Sequence, residues 1–531
     1  MGLARRYQGE LDAAYGYFYK AIWNYAWRAA AHYELACIEL RRGKPDTALR
    51  HLEDSLQTNA ANNKALVARA IGLRQMGDVA AASLVIDKLL EMDPLDHWGL
   101  AEQAKLTAGQ ARLAESSRND AQTALDIAFD YAECGCRHAA IELLEAHHAT
   151  EVPPVQVPNP LERSVMTHYT LAWLYAANGD AVKARETLEA ARATPPDYCF
   201  PSRLHEVIVL QWAQQQAGPD RNAGYGLGNY YYDKKRHADA ITAWEQARAA
   251  DDAYSTVHRN LGIAYWNARG DQAAARRSYE KALACEPDAS RLVAEYVQLC
   301  RKLGDPAATL LAFLEARMDL VLDRDDATVE LATLYNETAQ PQKALDLLLS
   351  RSFHPWEGGE GKVLRQYTTA HLLLGQSRLE QGEAAAALEH FERTLQTPDR
   401  LGEKYHPLQA KADVLYWQGR ALRALEREDQ AVAKFEAAAN ESGDFQSMAV
   451  SEFSELTYFK AKALAALGRD SKARAVLQAM ATYATAEMQQ PARIDYFATS
   501  LPNLLVFEED LDAAKQDYLQ GLRQLAESGL D

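Results

Sequence analysis

A pair of small residues returns at a fixed interval along this chain, and that recurrence limits the fold more than any other feature. Ala14, Ala48 and Ala82 stand 34 residues apart, each with a second small residue 12 positions upstream, at Gly2, Ala36 and Ala70. The pairing returns as Ala128 with Ala140, Ala172 with Ala184, Gly228 with Ala240, Ala332 with Ala344, Gly375 with Ala387, and Gly419 with Ala431. A weaker copy centres on Ala473. The pair Gly262 and Ala275 is one residue longer, an excess that the turn at Arg269-Gly270-Asp271 is expected to absorb. Two antiparallel helices approach closely only where their facing residues are small, so each pair predicts one helical hairpin. Large residues at helical spacing fill the gaps: Phe18, Leu52, Ile86, Trp244, Tyr279, Phe391 and Phe435 follow the second-helix alanine by four. Tyr175, Tyr231, Tyr265 and Tyr335 follow the first-helix small residue by three, a period of core and groove lining.

Turn signals separate the two helices at Gly43, Gly77-Asp78, Gly179-Asp180, Gly304-Asp305, Gly382 and Gly468, and Pro94, Pro196 and Pro287 close units where a helix must end. The set of positions resembles the tetratricopeptide-repeat family, over most of the chain and in about eleven units. The resemblance implies an all-α, superhelical α-α solenoid with a concave inner face, stabilised by contacts between neighbouring units.

Breaks in the recurrence suggest three arrays. Residues 1–150 hold about four units, one degenerate between Pro94 and Ala128. Residues 151–350 open with the proline-rich EVPPVQVPNP and carry an irregular insert near 195–224. Residues 351–531 have long loops and a terminal capping helix. Because Gly2 occupies a first-helix position, that helix begins in mid-course, and the expectation is that more chain precedes Met1.

Composition narrows the function. Net charge is −17, with no basic stripe to offset it, which disfavours a phosphate backbone and hence nucleic acid. Six scattered cysteines point to a reducing compartment. No stretch nears 18 apolar residues without charge, so no membrane span is expected, and cytoplasm is the default location.

Three stretches carry a narrower resemblance: RRYQGELDAAYGYFYKAIWNYAW (Arg5 to Trp27), FHPWEGGEGKV (Phe353 to Val363) and SLPNLLVFEEDL (Ser500 to Leu511). Together they are similar to the repeat-bearing latter half of large bacterial proteins. The first half of those proteins is a β-rich domain like the sugar-binding sandwiches of carbohydrate-active enzymes. The resemblance implies such a domain upstream, with any carbohydrate partner reached through it.

Among candidate sites, the loop from His354 to Gly361 is the most unusual. Three glycines permit sharp bends, and Trp356 with Glu357 and Glu360 is a set that a sugar or acid-base site could use. The other reading is an inter-repeat connection that packs Trp356 on a neighbouring unit. The loop is not a phosphate loop, since Trp356 stands at the leading glycine and Val363 at the required Ser or Thr. Cys134-Gly135-Cys136-Arg137-His138 with His147-His148 has CxC spacing at an inter-helix turn, the wrong geometry for zinc. His205-Glu206 lacks a second ligand at Val209. Asp323, Asp325 and Asp326 fail as a calcium loop at Thr328 and Leu334. No metal, cofactor or catalytic set is therefore expected. The sequence reads as a non-catalytic scaffold that holds a peptide, a protein partner or a neighbouring domain in its groove. The alternative is the accessory half of a carbohydrate-active enzyme.

Overall fold

The computed structural model describes residues 1–107, 111–149, 164–197, 199–354, 356, 358–446, 449–493 and 506–530. Those residues are overwhelmingly helical, with one short antiparallel hairpin that pairs Asp444–Gln446 with Ala449–Ser451. The fold is the expected all-α, α-α solenoid. It divides into two compact units, Met1–Val257 and His258–Asp531. The proline-rich stretch 151–160, Glu357 and residues 500–505 lie outside the described residues.

The first unit contains six of the small-residue pairs. Each lies on a helical hairpin: Gly2–Tyr7 with Leu11–Ala21, Tyr25–Arg41 with Pro45–Thr58, Asn63–Gln75 with Val79–Met92, Ala121–Glu133 with Arg137–Ala149, Val165–Ala177 with Ala181–Ala193, and Arg221–Asp233 with His237–Ala250. The stretch 195–224 contributes a further helix, Leu204–Gln215. A contiguous core runs from Tyr33 to Ala184.

The second unit continues the scheme with Ser255–Ala264 and Gln272–Cys285, Asp325–Glu337 and Pro341–Leu349, Lys362–Glu380 and Ala384–Arg393, Ala412–Ala424 and Glu428–Asn440, and Glu455–Ala466 and Asp470–Glu487. Helix Leu511–Ser528 packs on the last of these through Leu519, Leu522 and Ala526. Ser290–Lys302 and Ala307–Glu315 form a hairpin that lacks the small pair.

The small residues sit where two helices meet. On the second helices Ala14, Ala48, Ala82, Ala240, Ala387 and Ala431 are completely enclosed, and Ala184 nearly so. On the first helices Ala36, Ala70 and Ala172 are equally enclosed. The identity of the first-helix residue matters. Wherever it is glycine, the residue four after the second-helix alanine is aromatic. A Cβ built on Gly2, Gly228, Gly262, Gly375 or Gly419 would fall 2.7, 2.2, 2.6, 2.3 or 2.6 Å from Phe18, Trp244, Tyr279, Phe391 or Phe435 respectively. Where the first helix carries alanine, the same position holds Leu52, Ile86, Leu144, Leu188, Leu348 or Leu477, all buried. Volume is conserved across each hairpin, as close packing demands.

The Gly-Asp turns combine two functions. Gly77, Gly179 and Gly270 take the left-handed backbone, at φ of 85°, 86° and 63°. The aspartate that follows each accepts the backbone N–H of Ala81, Lys183 or Ala274 and so caps the second helix. Gly304-Asp305 departs from this, because Asp305 pairs with Arg276 instead, at 2.6 Å.

The extra residue between Gly262 and Ala275 is not taken up by the turn at Arg269-Gly270-Asp271. In other hairpins the N–H that closes the turn bonds a carbonyl five residues back, as Lys44 does with Glu39. Here Asp271 reaches six back, to Tyr265, and Tyr265–Arg269 is a π-helical turn. The insertion sits inside the helix and bulges it, and such bulges often mark functional positions.

Candidate functional site

A wide cavity lies in the second unit, with a volume of about 1570 Å³. First helices of successive hairpins build its wall. Arg301 and Lys302 come from Ser290–Lys302, Glu330 and Glu337 from Asp325–Glu337, and Lys362 and Arg365 from Lys362–Glu380. Arg301 is held by Glu330 at 2.6 Å and Glu337 at 3.1 Å. Burial pushes the Glu330 carboxyl above its ordinary value, although Arg301 opposes the shift.

One end of this groove is occupied by the chain itself. The π-turn presents Trp266 and Asn267 to the segment 506–509. The Asn267 carboxamide brackets the backbone there, donating to the Val506 carbonyl at 3.0 Å and accepting from the Glu508 N–H at 2.9 Å. Trp266 Nε1 donates to the Glu508 carbonyl at 3.0 Å. Phe507, only 1% exposed, inserts between Trp266 and Tyr279, with ring centroids 5.9 and 5.5 Å away. Lys302 pairs with Glu509. Bracketed backbone groups, an aromatic pocket and a cation for an acidic side chain together hold this segment in place.

Of the residues singled out from sequence, Trp356 and Glu360 line this groove, with Gly358 and Gly361. Trp356 also packs against the core, and a Cβ on Gly359 would fall 2.0 Å from its ring, so that glycine makes room for the indole. His354 is exposed, its backbone N–H donating to Asp325 at 3.0 Å. Glu357 is outside the described residues. No sequence signal pointed to Glu403, whose carboxylate accepts from the N–H groups of Gly361 (2.6 Å) and Leu364 (2.8 Å). It caps helix Lys362–Glu380 from 39 residues beyond Leu364 and pins the loop's exit.

The motifs excluded on spacing are each accounted for by other contacts. Cys134 Sγ lies 3.7 Å from Cys37 Sγ, while His148 stacks on His168 and His147 adjoins His148. Glu206 accepts the N–H groups of Ser202 and Arg203. Asp325 and Asp326 pair with Arg351 and Arg324.

In the first unit, the first helices of several hairpins bring buried charges together. Arg6 pairs with Glu133 at 2.6 Å and Glu34 at 3.3 Å, and His205 Nε2 meets Glu133 at 2.5 Å. Burial alone would raise both carboxyls. His205 and Arg6 reverse this at Glu133 and hold it down to about 2, whereas Glu34 remains up at about 7. Trp23, Tyr25 and Trp27 are exposed near the start of the second hairpin.

A family model described as tetratricopeptide repeat matches residues 33–97, 225–290 and 372–447. These segments are tetratricopeptide repeats. The matched stretches contain six of the small-residue pairs, including the π-turn hairpin that holds the 506–509 segment. Among solved structures, yeast Tom70 is 13% identical over 83% of this chain and 96% of its own, with a TM-score of 0.24. A tetratricopeptide repeat protein from Parabacteroides merdae is 14% identical over 58% and 98%, with a TM-score of 0.24. The TPR domain of P58(IPK) is 14% identical over 84% and 99%, with a TM-score of 0.20. Among the described residues no helix is long and apolar enough to cross a membrane.

Proposed function

We propose that this tetratricopeptide-repeat chain is an interaction scaffold whose second unit receives a peptide with an aromatic residue followed by acidic ones. The observation that carries this reading is the Asn267 carboxamide closed on the backbone around Phe507. A side chain that satisfies the backbone groups on either side of a residue recognises main chain rather than sequence, and the Phe507 pocket and Lys302 add side-chain preference. The groove continues past Glu509 to Lys362 and Arg365, giving a longer ligand further cationic contacts. The segment 506–509 then acts as a resident occupant that an outside peptide must displace.

The test is fluorescence polarisation with a labelled peptide Val-Phe-Glu-Glu-Asp-Leu, the sequence of residues 506–511. A Phe507→Ala chain, whose own segment no longer fills the pocket, should bind it more tightly than the unaltered chain. Asn267→Ala added to that variant should remove the binding. A Phe507→Ala chain with no affinity for the peptide, or with affinity indifferent to Asn267, would sink the reading.

A further inference from the structure

The structure assigns a divalent transition-metal site to His32, His51 and Asp54, on the hairpin formed by Tyr25–Arg41 and Pro45–Thr58. His32 Nδ1 and His51 Nδ1 stand 3.1 Å apart, with Asp54 Oδ2 3.8 Å from His32 Nδ1. One ligand atom from each of the three lies within 4.8 Å of the others, the one such His/Cys/Asp/Glu grouping among the described residues. Two nitrogens bound tetrahedrally at about 2.0–2.1 Å from zinc are roughly 3.3 Å apart. The imidazole pair is therefore already at the bite a metal requires, and the carboxylate needs only a small inward movement.

Three further features suit a metal. The rings must be neutral to bind, and burial lowers the proton affinity of both. Asp54 and Glu39 pull the other way, and Arg28 and Arg50 add to the lowering. Tyr15 lies 3.3 Å from His51 Nε2 and fixes that ring with Nδ1 turned inward, an outer contact of the kind that orients metal-bound histidines. Finally, His32 is 4% exposed but the Asp54 side chain is half-buried, 42% exposed, which leaves an entry path and an open position for water.

The chain carries its own control. His371 and His390 occupy the same repeat positions, four before the first-helix small residue and three after the second-helix alanine, and their Nδ1 atoms are 3.0 Å apart. The position of Asp54 is there taken by Arg393, whose charge opposes a cation. The two pairs share a hydrogen-bonded geometry, and among the described residues only the first has a carboxylate oxygen within ligand reach of both rings.

The experiment is a titration of the full chain with cobalt(II), read by visible d–d absorption, followed by displacement with zinc. One equivalent should bind with a tetrahedral spectrum. Asp54→Ala should weaken it at least roughly tenfold, by the scale that even outer-partner losses reach, and His51→Ala should remove it. His390→Ala should leave it unchanged. Should His51→Ala fail to fold, the Asp54→Ala variant decides, its helical circular dichroism serving as the check. Absence of a tetrahedral spectrum, binding that survives Asp54→Ala, or equal loss in His390→Ala would each overturn the assignment.

Discussion

Gly228 and Trp244 share one volume: a methyl group on the glycine would stand 2.2 Å from the indole nitrogen. Alanine is the better helix former by about 1 kcal/mol, yet overpacking typically costs about 1–3 kcal/mol, so the clash wins. Gly228→Ala should lower stability to urea. In a Trp244→Leu background, which reproduces the alanine-leucine pairing of other hairpins, the same change should be neutral or stabilising. A double-mutant cycle on urea midpoints checks this, and additive single effects would contradict it.

The charges inside the first unit are unequal partners. Glu133 serves both Arg6 and His205 and is held down to about 2, while Glu34 stays up at about 7. Glu133→Gln takes from the buried Arg6 the nearer of its two carboxylates and from His205 its partner, and should cost about 3–5 kcal/mol. Glu34→Gln removes a carboxylate whose ionisation burial disfavours, and at pH 8 should leave stability unchanged or raise it. Denaturation of the two near-isosteric variants side by side tests the ranking.

Burial, with His390 and Arg393 adding repulsion, holds His371 down to about 4. The unfolded chain protonates this ring near its ordinary value of about 6.5. Its contribution is therefore complete above that value and lost as the pH falls toward 4. Urea midpoints of the second unit should drop between pH 6.5 and 4. His371→Gln should flatten that part of the profile, and an unchanged slope would contradict the assignment of the loss to this ring.

Phe507 is fully enclosed, and truncating such a ring costs about 3–5 kcal/mol. Phe507→Ala should release the segment while the repeats stay folded. Hydrogen exchange at the Glu508 amide, bonded to Asn267, should quicken by orders of magnitude in Phe507→Ala and in Asn267→Ala, with core amides of Asp325–Glu337 unchanged. Cleavage at Glu508 by a glutamate-specific protease offers a second readout.

The hairpins were legible because each rests on residues 12 and 16 positions apart within one local unit. Gly375, Ala387 and Phe391 show the rule: three residues on two adjacent helices name each other's size. The Gly-Asp turns were legible for the same reason. The extra residue before Ala275 was visible too, but its place was not: a turn and a π-bulge absorb one residue equally well, and only the Asp271–Tyr265 bond distinguishes them. What the sequence could not disclose joins distant residues, such as Asn267 with Glu508 or Glu403 with the Gly361 N–H, where no periodicity links the partners. The His32–His51 and His371–His390 pairs fall between these cases. Their shared repeat positions were visible, but histidines scattered singly among apolar helices give no sign of pairing until the hairpin is folded.

The matching of glycine to aromatic and alanine to aliphatic side chains falls wholly within single hairpins. A crossover between genes that breaks the chain between two hairpins therefore passes on every match intact, and the array can lengthen, shorten or shuffle its units. A crossover inside a hairpin joins a glycine to a leucine, leaving a void, or an alanine to a tryptophan, forcing a clash. The joints at which such an array can be cut and rejoined are thus written into the sizes of paired side chains such as Gly228 with Trp244 and Ala36 with Leu52.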